Sequence, residues 1–376
     1  MKIAVNTRLL IPNRLDGMGW FSYETLKRIT QSHPEHDFYF LFDRKYSDDF
    51  IFAKNVHPII VRPVTRHPFL WYLWLEWSLP AVLKKLKADI FVSPDGFLSL
   101  KSKIPSLTVI HDINFLHRPK DLPFLPRWYH NYYFPKFAKH ASRIGAVSDY
   151  SANDISVSYG VKRSKIGVIY NGVNESYLPI SDNLITQTRK NYSSGLAYFV
   201  FVGSLLPRKN IVNMLKAYDI FRKRSGLKIK MLIVGEKMFL TQEIDRVIKE
   251  IEFSDDVIFT GRLSSEDLHH VIASALAMTF VPFFEGFGIP MLEAMKCGVP
   301  VIASNRTSLP EVGDDAAIFC DPENAEEISV AMQEICEDDK LRKDFIERGL
   351  RRAKEFSWDK SAERFWKLIE KVLHGA

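Results

Sequence analysis

The chain has 376 residues, 46% of them hydrophobic, so it is long enough to fold as two packed domains. Its net charge of +6 is mildly basic, and its aromatic and basic residues follow no nucleic-acid-binding motif, so nucleic acid is not an expected partner. No apolar run reaches the roughly 18 residues that a membrane-spanning helix needs, and the first residues lack a signal-peptide layout. The 3 cysteines fit no metal-site spacing and predict reduced thiols, so we expect a cytoplasmic protein.

Short apolar segments alternate with helix-length segments along the chain. In the first half, strands are predicted at residues 2–6, 37–42, 58–62, 89–93, 106–112, 143–148 and 166–171. In the second half, they are predicted at residues 198–204, 230–235, 257–261, 277–282, 300–304 and 317–321. Several are continuous apolar runs, which are typical of parallel strands buried on both faces. The alternation predicts an α/β architecture with right-handed crossovers.

The alternation breaks once, between Val173 and Ala197, where the chain is polar and rich in turn residues. The sequence therefore predicts two doubly wound domains at residues 1–175 and 196–357, joined by a linker at residues 176–195. Open α/β sheets bind ligands beyond the carboxyl ends of their strands. Two such edges facing each other predict a deep cleft between the domains.

Two loops at predicted strand ends of the first domain carry candidate residues. Gly17 and Gly19 precede a predicted helix, and a glycine turn there lets backbone N–H groups approach an anion, although a plain turn also explains the pattern. His111 and Asp112 directly follow a buried strand. Asp112 either caps the next segment or forms a functional pair with His111.

The stretch "FVGSLLPRKNI" follows the first strand of the second domain. Gly203 and Ser204 form the predicted turn, and Arg208 and Lys209 stand ahead of a helix that is predicted to start near Asn210. Two cations beside a helix N-terminus suit a diphosphate, since Arg offers forked hydrogen bonds and Lys a point charge. The alternative is a solvated Arg-Lys pair.

The stretch "FFEGFGIPMLEAMKCGVPVIAS" places carboxylates on both sides of a glycine turn. Glu285 lies just past a buried strand, and Pro290 is predicted as the first residue of the next helix. Glu293 is then predicted in the first helical turn, at the positive end of the helix dipole. Such carboxylates hydrogen-bond hydroxyl groups well, and the N-terminus favours an anion. A nucleotide sugar, with many hydroxyls and a central diphosphate, fits this arrangement.

These segments also resemble a known family. "EGFGIPMLEAMKCGVPVIAS" resembles the motif of Glu, seven residues and Glu in the retaining glycosyltransferases of family 4, the group 1 glycosyltransferases with the GT-B fold. "FVGSLLPRKNI" resembles the donor-diphosphate segment of that family. "GMGWFSYETL", "VIHDINFL", "AVSDYSANDI", "IGVIYNGV" and "SLPEVGDDAAIFCDP" resemble further segments in the same order. The resemblance covers nearly the whole chain and implies two Rossmann-like domains facing across a deep cleft.

The resemblance implies a role for each matching residue. Glu285 lies beside the donor sugar, Glu293 binds the ribose hydroxyls, and His111 stands near the reacting sugar and the acceptor. The implied catalytic residues are Glu285, His111, Arg208 and Lys209. The implied donor-binding residues are Gly17, Gly19, Gly203, Ser204, Arg208, Lys209, Arg262, Leu263, Glu285, Gly286, Phe287, Gly288, Ile289 and Glu293. Asp95 and Asp112 are candidate acceptor contacts, and the last helix, residues 358–376, is implied to cross back onto the first domain.

The resemblance also implies the reaction. It suggests transfer with retention, in which the leaving phosphate helps to deprotonate the acceptor. No Asp-x-Asp metal site is apparent, and the Arg208–Lys209 pair takes the place of a divalent cation, so no cofactor is expected besides the nucleotide-diphosphate sugar. The segments are mannosyltransferase-like, which favours GDP-mannose, with a UDP-sugar next. The implied acceptor is a glycan or lipid-linked saccharide in polysaccharide assembly. The alternatives are a non-catalytic sugar-nucleotide-binding partner and a GT-B epimerase or phosphorylase.

Two segments of the first domain, residues 62–87 and 118–140, interleave aromatic and basic residues. One interpretation is a core helix pair that also shapes the acceptor pocket. The other is a surface that lies on anionic lipid, which would place the protein peripherally on the inner face of the plasma membrane.

Overall fold

A computed structural model describes residues 1–12, 14–238 and 241–375. The chain divides into two compact units, the first made of Met1–Gly172 with Ser357–Ala376 and the second of Val173–Phe356. The helices are α1 (Gly17–Ser32), α2 (Pro68–Leu73), α3 (Leu79–Leu86), α4 (Asn114–His117), α5 (Phe124–His140), α6 (Asp149–Tyr159), α7 (Asp182–Ser193), α8 (Ile211–Ser225), α9 (Gln242–Glu250), α10 (Ser265–Ala273), α11 (Ile289–Lys296), α12 (Leu309–Gly313), α13 (Ala325–Glu337), α14 (Asp339–Ala353) and α15 (Trp358–Leu373).

The first unit is built on a parallel sheet with the strand order β3-β2-β1-β4-β5-β6-β7. Its strands are β1 (Lys2–Asn6), β2 (Asp37–Phe42), β3 (Val56–Ile60), β4 (Ile90–Ser93), β5 (Ser106–Ile110), β6 (Arg143–Ala146) and β7 (Ile166–Val168). The strand order reverses between β1 and β4, so the carboxyl ends of these two strands border the switch point where doubly wound sheets bind ligands. Each predicted strand of this half is present. However, β3 begins and ends two residues earlier than predicted, and β5, β6 and β7 end two or three residues earlier.

The last helix, α15, belongs to the first unit and packs on α1. Phe21 and Phe365 are fully buried, and their ring centroids lie 5.5 Å apart. Arg28 on α1 donates a hydrogen bond to Asp359 at the start of α15, at 2.5 Å. The chain passes so close beside Gly172 that a Cβ there would lie 2.2 Å from the Trp358 nitrogen. Residue 376, the end of the implied crossover helix, is outside the described residues.

The second unit is built on another parallel sheet with the order β10-β9-β8-β11-β12-β13. Its strands are β8 (Tyr198–Val202), β9 (Lys230–Val234), β10 (Val257–Gly261), β11 (Ala277–Phe280), β12 (Val301–Ser304) and β13 (Ile318–Cys320). Every strand predicted for this half is present. The order reverses between β8 and β11, so the loops after these two strands flank the switch point. Two doubly wound sheets confirm the predicted α/β fold class.

The stretch predicted as a linker, residues 176–195, lies within the second unit and carries α7. Helix α7 packs on α10, and Arg189 donates a hydrogen bond to the Ser274 carbonyl oxygen at 3.0 Å. The polar composition that suggests a linker therefore reflects the exposed face of a surface helix. Among the described residues, no helix is long and apolar enough to cross a membrane.

Candidate active site

The loop after β8 begins with a close backbone crossing. Gly203 has a φ of +150°, and its N–H donates to the Val234 carbonyl oxygen at 3.0 Å. A Cβ on Gly235 would lie only 1.9 Å from the Gly203 carbonyl oxygen. Glycine at 235 therefore lets two strand-end loops touch, and this contact fixes where the next residues point. Ser204 follows Gly203 and is exposed.

The cations of this loop lie on a single 3-10 turn, Pro207–Lys209, that leads into α8. The next residue, Asn210, has a φ of +61°, a conformation that Asn tolerates better than most side chains. Its buried amide donates to the carbonyl oxygens of Val281 at 2.8 Å and Pro322 at 2.7 Å. Asn210 thus ties the cation turn to the end of β11 and to the segment after β13.

The same cations meet Glu285, which follows β11. Arg208 Nη1 donates to Glu285 Oε1 at 2.9 Å and to the Phe284 carbonyl oxygen at 3.1 Å. Lys209 Nζ is hydrogen-bonded to the same carboxylate oxygen. The Phe283 N–H donates to the Arg208 carbonyl oxygen at 2.8 Å, so the two loops are joined by their backbones as well. The structure therefore brings Arg208, Lys209 and Glu285 together at the switch point of the second sheet.

This cluster is buried and carries an excess of positive charge. Lys209 and Glu285 are each only 8% exposed. Burial opposes ionisation of Glu285, but the charges and hydrogen bonds of Lys209 and Arg208 outweigh it and hold the pKa of the carboxyl below its usual value. Two cations against one ionised carboxylate leave one positive charge over. The site can therefore accept an anion.

Two side chains that the sequence reasoning missed hold Glu285 in place. Thr307 Oγ1 accepts a hydrogen bond from the Glu285 N–H at 3.2 Å, and Ser308 Oγ donates to the Glu285 carbonyl oxygen at 2.9 Å. Thr307 adopts a φ of +58°, which is uncommon for a β-branched residue. Ser308 is the first residue of the stretch "SLPEVG", which resembles a family segment, and Thr307 directly precedes it; nothing in these letters indicates contact with Glu285.

The glycine turn after Glu285 ends at Gly288, which has a φ of +95° and precedes α11. A Cβ at this position would lie 2.5 Å from Leu309 Cδ2, so both the conformation and the packing require glycine. Helix α11 begins at Ile289, which makes Pro290 its second residue rather than its first. Glu293 is consequently the fifth residue, one residue further in than predicted, and the predicted position in the first turn is wrong.

Glu293 is half-buried and shares a hydrogen bond with Tyr177, a buried residue that the sequence reasoning did not select. Burial raises the pKa of Glu293 to about 7, although the bond with Tyr177 lowers it. Glu285 and Glu293 thus have opposite environments. The cations hold the pKa of Glu285 below its ordinary value, whereas burial raises the pKa of Glu293.

Arg262 and Leu263 lie apart from this cluster in the sheet. They follow β10, an outer strand that is separated from β8 by β9. Gly261, with a φ of +71°, turns the chain there, and Arg262 is exposed while Leu263 is half-buried. A role for Arg262 and Leu263 in binding the donor stays a prediction.

In the first unit, Asp95 is engaged inside the protein. Arg8 Nε donates to Asp95 Oδ2 at 2.6 Å, and Oδ1 accepts from Asn6 at 2.8 Å and from Ser93 at 2.9 Å. Asp95 is 6% exposed. Its oxygens join the carboxyl ends of β1 and β4, which gives the residue a structural role, and contact with acceptor stays a prediction.

His111 and Asp112 follow β5 at the same edge of the first sheet. His111 Nε2 lies 2.9 Å from the Pro94 carbonyl oxygen, so Nε2 carries the proton and Nδ1 is left with a lone pair in the neutral ring. Burial lowers the pKa of His111, against the opposing effect of the Pro94 hydrogen bond and nearby carboxylates, and favours that neutral ring. Asp112 Oδ1 accepts from the Asn114 N–H at 3.0 Å, a local contact ahead of α4, but the N-cap residue of that helix is Ile113.

The glycines near residue 17 open a helix instead of preceding one. Helix α1 begins at Gly17, and the Gly19 N–H donates to Asp16 Oδ1 at 2.9 Å. The prediction that Gly17 and Gly19 form a turn ahead of the helix is therefore wrong. Asp16 caps the helix, so both glycines lie in its first turn. Phe21 of α1 packs edge-on against His111 at 5.0 Å, which places α1 beside the first unit's candidate residues. Contact of these glycines with phosphate stays a prediction.

Comparison with known proteins gives matches for both units. Residues 15–177 match the model of Glycosyltransferase Family 4, and residues 186–352 match that of Glycosyl transferases group 1. The chain belongs to the group 1 glycosyltransferases of family 4. It is 27% identical over 361 residues to the O-antigen chain mannosyltransferase B of Escherichia coli, covering 92% of this chain and 93% of that one. It is also 27% identical over 268 residues to the O-antigen chain mannosyltransferase RfbU of Salmonella typhimurium, covering 71% of each.

Solved structures confirm the fold of this glycosyltransferase. HepE of Anabaena, solved with UDP and glucose, has a TM-score of 0.77 at 17% identity and covers 98% of this chain and 99% of its own. Sucrose-phosphate synthase of Thermosynechococcus elongatus has a TM-score of 0.78 at 16% identity, with full coverage of both chains at 100%. The GT-B fold predicted by resemblance is thus confirmed. Among the described residues, no group of 3 or more His, Cys, Asp or Glu side chains could hold a metal ion.

Proposed function

We propose that this glycosyltransferase is a retaining hexosyltransferase. It moves a sugar from a nucleotide-diphosphate sugar, GDP-mannose in preference to a UDP-sugar, to a glycan or lipid-linked saccharide in polysaccharide assembly. The observation that carries the proposal is the meeting of Arg208, Lys209 and Glu285 at the switch point of the second sheet.

The cation pair suits the leaving group of such a reaction. Breaking the bond between sugar and diphosphate builds negative charge on the departing phosphate, and preorganised cations stabilise that charge in the transition state. Arg208 and Lys209 are already held in place by their backbone and by Glu285. They supply the charge that a divalent cation would otherwise supply, so we propose catalysis without a metal.

Glu285 lies between the cations that would bind the phosphate, Arg208 and Lys209, and the backbone turn through residues 286–289. A carboxylate held ionised in this position offsets positive charge that develops at the anomeric carbon. A pair of acid and nucleophile is not proposed, because Glu285 is bound by two cations whereas Glu293 lies on α11 and interacts with Tyr177. Retention is assigned to attack on the same face, with the leaving phosphate taking the acceptor proton. In the first unit, His111 in its neutral form offers Nδ1 to a sugar hydroxyl.

The choice of mannose and of polysaccharide assembly rests on the relatives. The O-antigen chain mannosyltransferase B of Escherichia coli matches this chain nearly end to end. The identity to that protein is 27%, and the donor is the first property to measure.

Thermal shift with UDP, GDP, ADP, dTDP and CMP, in the presence of EDTA, tests the donor site. A ligand that binds the folded state alone raises the melting temperature by mass action. We expect a clear shift with one nucleoside diphosphate, GDP first, and its loss in Arg208→Ala. Arg246→Ala, which removes an exposed Arg on α9, is the matched control and should keep the shift. A shift that survives Arg208→Ala, or that disappears with EDTA in the wild type, would contradict the proposed site.

Binding alone does not distinguish an enzyme from a non-catalytic sugar-nucleotide-binding partner. Release of the nucleoside diphosphate from the donor sugar by the purified protein separates the two. An epimerase would return an isomer of the nucleotide sugar, with no sugar attached to an acceptor.

A further inference from the structure

The exposed aromatic side chains within the described residues are confined to two segments of the first unit, residues 62–87 and 118–140. They are Phe69, Trp77, Phe124, Trp128 and Tyr132, with exposures between 48% and 65%. With Leu125, which is 49% exposed, they form what we call the aromatic face. Single exposed apolar residues are ordinary, but their concentration in two segments indicates a binding surface.

The two segments pack against each other through their inner sides. Trp71 on α2 meets Tyr129 on α5 at a centroid distance of 5.2 Å, and Tyr72 meets Tyr133 at 6.2 Å. Trp74, in the π-helical turn after α2, is fully buried. The interpretation of these segments as a core helix pair is therefore correct for their inner sides. It does not account for the aromatic face.

The positive charge of the chain is concentrated in the same segments. They contain ten of the 51 Lys and Arg residues and two of the 45 Asp and Glu residues, so they carry about +8 while the remaining chain carries about −2. Both carboxylates are buried and engaged. Glu76 accepts from the Leu100 N–H at 2.9 Å, and Asp121 pairs with Arg118 at 2.6 Å. The solvent side of these segments is therefore cationic.

Cations also lie directly over the exposed rings. Lys101 Nζ is 3.9 Å from the Trp77 ring centroid, and Lys136 Nζ is 3.4 Å from that of Tyr132. These contacts hold an ammonium group beside each ring. An aromatic ring with a cation beside it is the arrangement that suits the boundary between lipid headgroups and acyl chains.

We propose that the aromatic face binds the surface of an anionic phospholipid bilayer. The rings sit at the level of the headgroups, and the Lys and Arg side chains meet the anionic lipids. A bilayer fits better than a protein partner because the exposed charge has one sign. The chain runs from the carboxyl end of β5, the edge that holds His111, through α4 to the start of α5, so docking would bring that edge towards the membrane. Docking would bring this edge close to a lipid-linked acceptor in the membrane. The role of such an acceptor rests on the proposed function, whereas the docking itself does not.

Vesicle sedimentation of the full chain tests the proposal. We expect binding to phosphatidylcholine vesicles that contain about 30% phosphatidylglycerol, much weaker binding to phosphatidylcholine alone, and loss in roughly 0.5 M salt. The double variant Trp77→Ala/Trp128→Ala should bind at least about tenfold more weakly. In the double variant Lys101→Ala/Lys136→Ala, the loss of each cation should weaken binding about fivefold. Brominated lipids should quench the fluorescence of the wild type more than that of the double Trp variant.

Matched controls separate the face from general surface effects. Val157→Ala removes an apolar side chain that is 84% exposed on α6, and Lys190→Ala with Lys228→Ala removes two exposed cations from the second unit. Both should bind vesicles like the wild type, and all variants should melt at the wild-type temperature. The proposal is overturned if the wild type does not bind anionic vesicles, or if the double Trp variant binds them equally well. A dimer that dissociates in that variant, without vesicle binding, would identify a second copy as the occupant instead.

Discussion

At the scale of single residues, the chemistry of the candidate site depends on the charge of Glu285. Glu285→Gln keeps the size of the side chain but leaves Lys209 buried without its anion, which should destabilise the free protein by about 1–3 kcal/mol. A nucleoside diphosphate should still bind, since both cations become available to it. Sugar transfer should fall by at least about a hundredfold if Glu285 acts in the chemical step. Calorimetric titration and donor turnover measure the two effects.

Glu326→Gln is the control for Glu285→Gln, because Glu326 pairs with Arg224 at the surface and should matter little to stability. Full transfer activity in Glu285→Gln would remove this carboxylate from the mechanism. Weak nucleotide binding in the same variant would instead show that Glu285 positions the cations.

Glu293 should make stability depend on pH. Its pKa is about 7 in the folded chain against 4.5 as the ordinary value. The proton therefore stabilises the fold fully below pH 4.5, and this contribution is lost as the pH rises through about 7. Glu293→Gln cannot ionise, so it should exceed the wild type in stability at high pH by on the order of 1 kcal/mol, and by less at low pH.

Melting curves of Glu293→Gln and wild type at pH values on both sides of 7 provide the measurement. Nucleotide affinity of the wild type should also rise with pH, since the ionised carboxylate accepts two hydroxyl hydrogens, and the variant should lack this trend. An equal difference in melting temperature at both pH values would disprove the assignment.

At the scale of elements, the turn into α11 tests why glycine follows Glu285. Gly288→Ala combines a positive φ of +95° with a clash at 2.5 Å against Leu309, so we expect a loss of about 2–4 kcal/mol. Gly195→Ala is the control, because its φ of +82° is similar but nothing lies within 4 Å, and about 1 kcal/mol is expected. Chemical denaturation of both variants compares the two losses. Equal losses would mean that the Leu309 contact does not constrain the turn.

The elements also show which sequence signals are dependable. Strands were located correctly because parallel strands buried on both faces leave continuous apolar runs, as in β8 and β11. Helix starts were less accurate. Glycine and proline at Gly17 and Pro290 indicate a change of direction, but the first helical residue is set by a capping contact or by neighbouring packing.

At the scale of the whole molecule, the first unit is discontinuous in sequence and depends on its last helix. Phe365 and Ile369 of α15 are at most 1% exposed, so removing residues 357–376 would uncover apolar surface on the first unit. We expect residues 1–172 alone to lack a cooperative melt, and residues 173–356, which are continuous, to show one. Circular dichroism of the two fragments measures this. A cooperative melt of residues 1–172 would show that α15 is dispensable.

The sequence by itself determined the order of strands and helices along the chain, the family and the residue types at the candidate site. These are local properties, because burial on both faces, turn chemistry and motif spacing are all readable along the chain. Only the tertiary structure decided that Arg208 and Lys209 share Glu285, that Thr307 and Ser308 hold it, and that Asp95 is committed to Arg8. Each of these contacts joins residues more than 20 positions apart. They depend on which strand ends the sheet places side by side, and no local pattern records that.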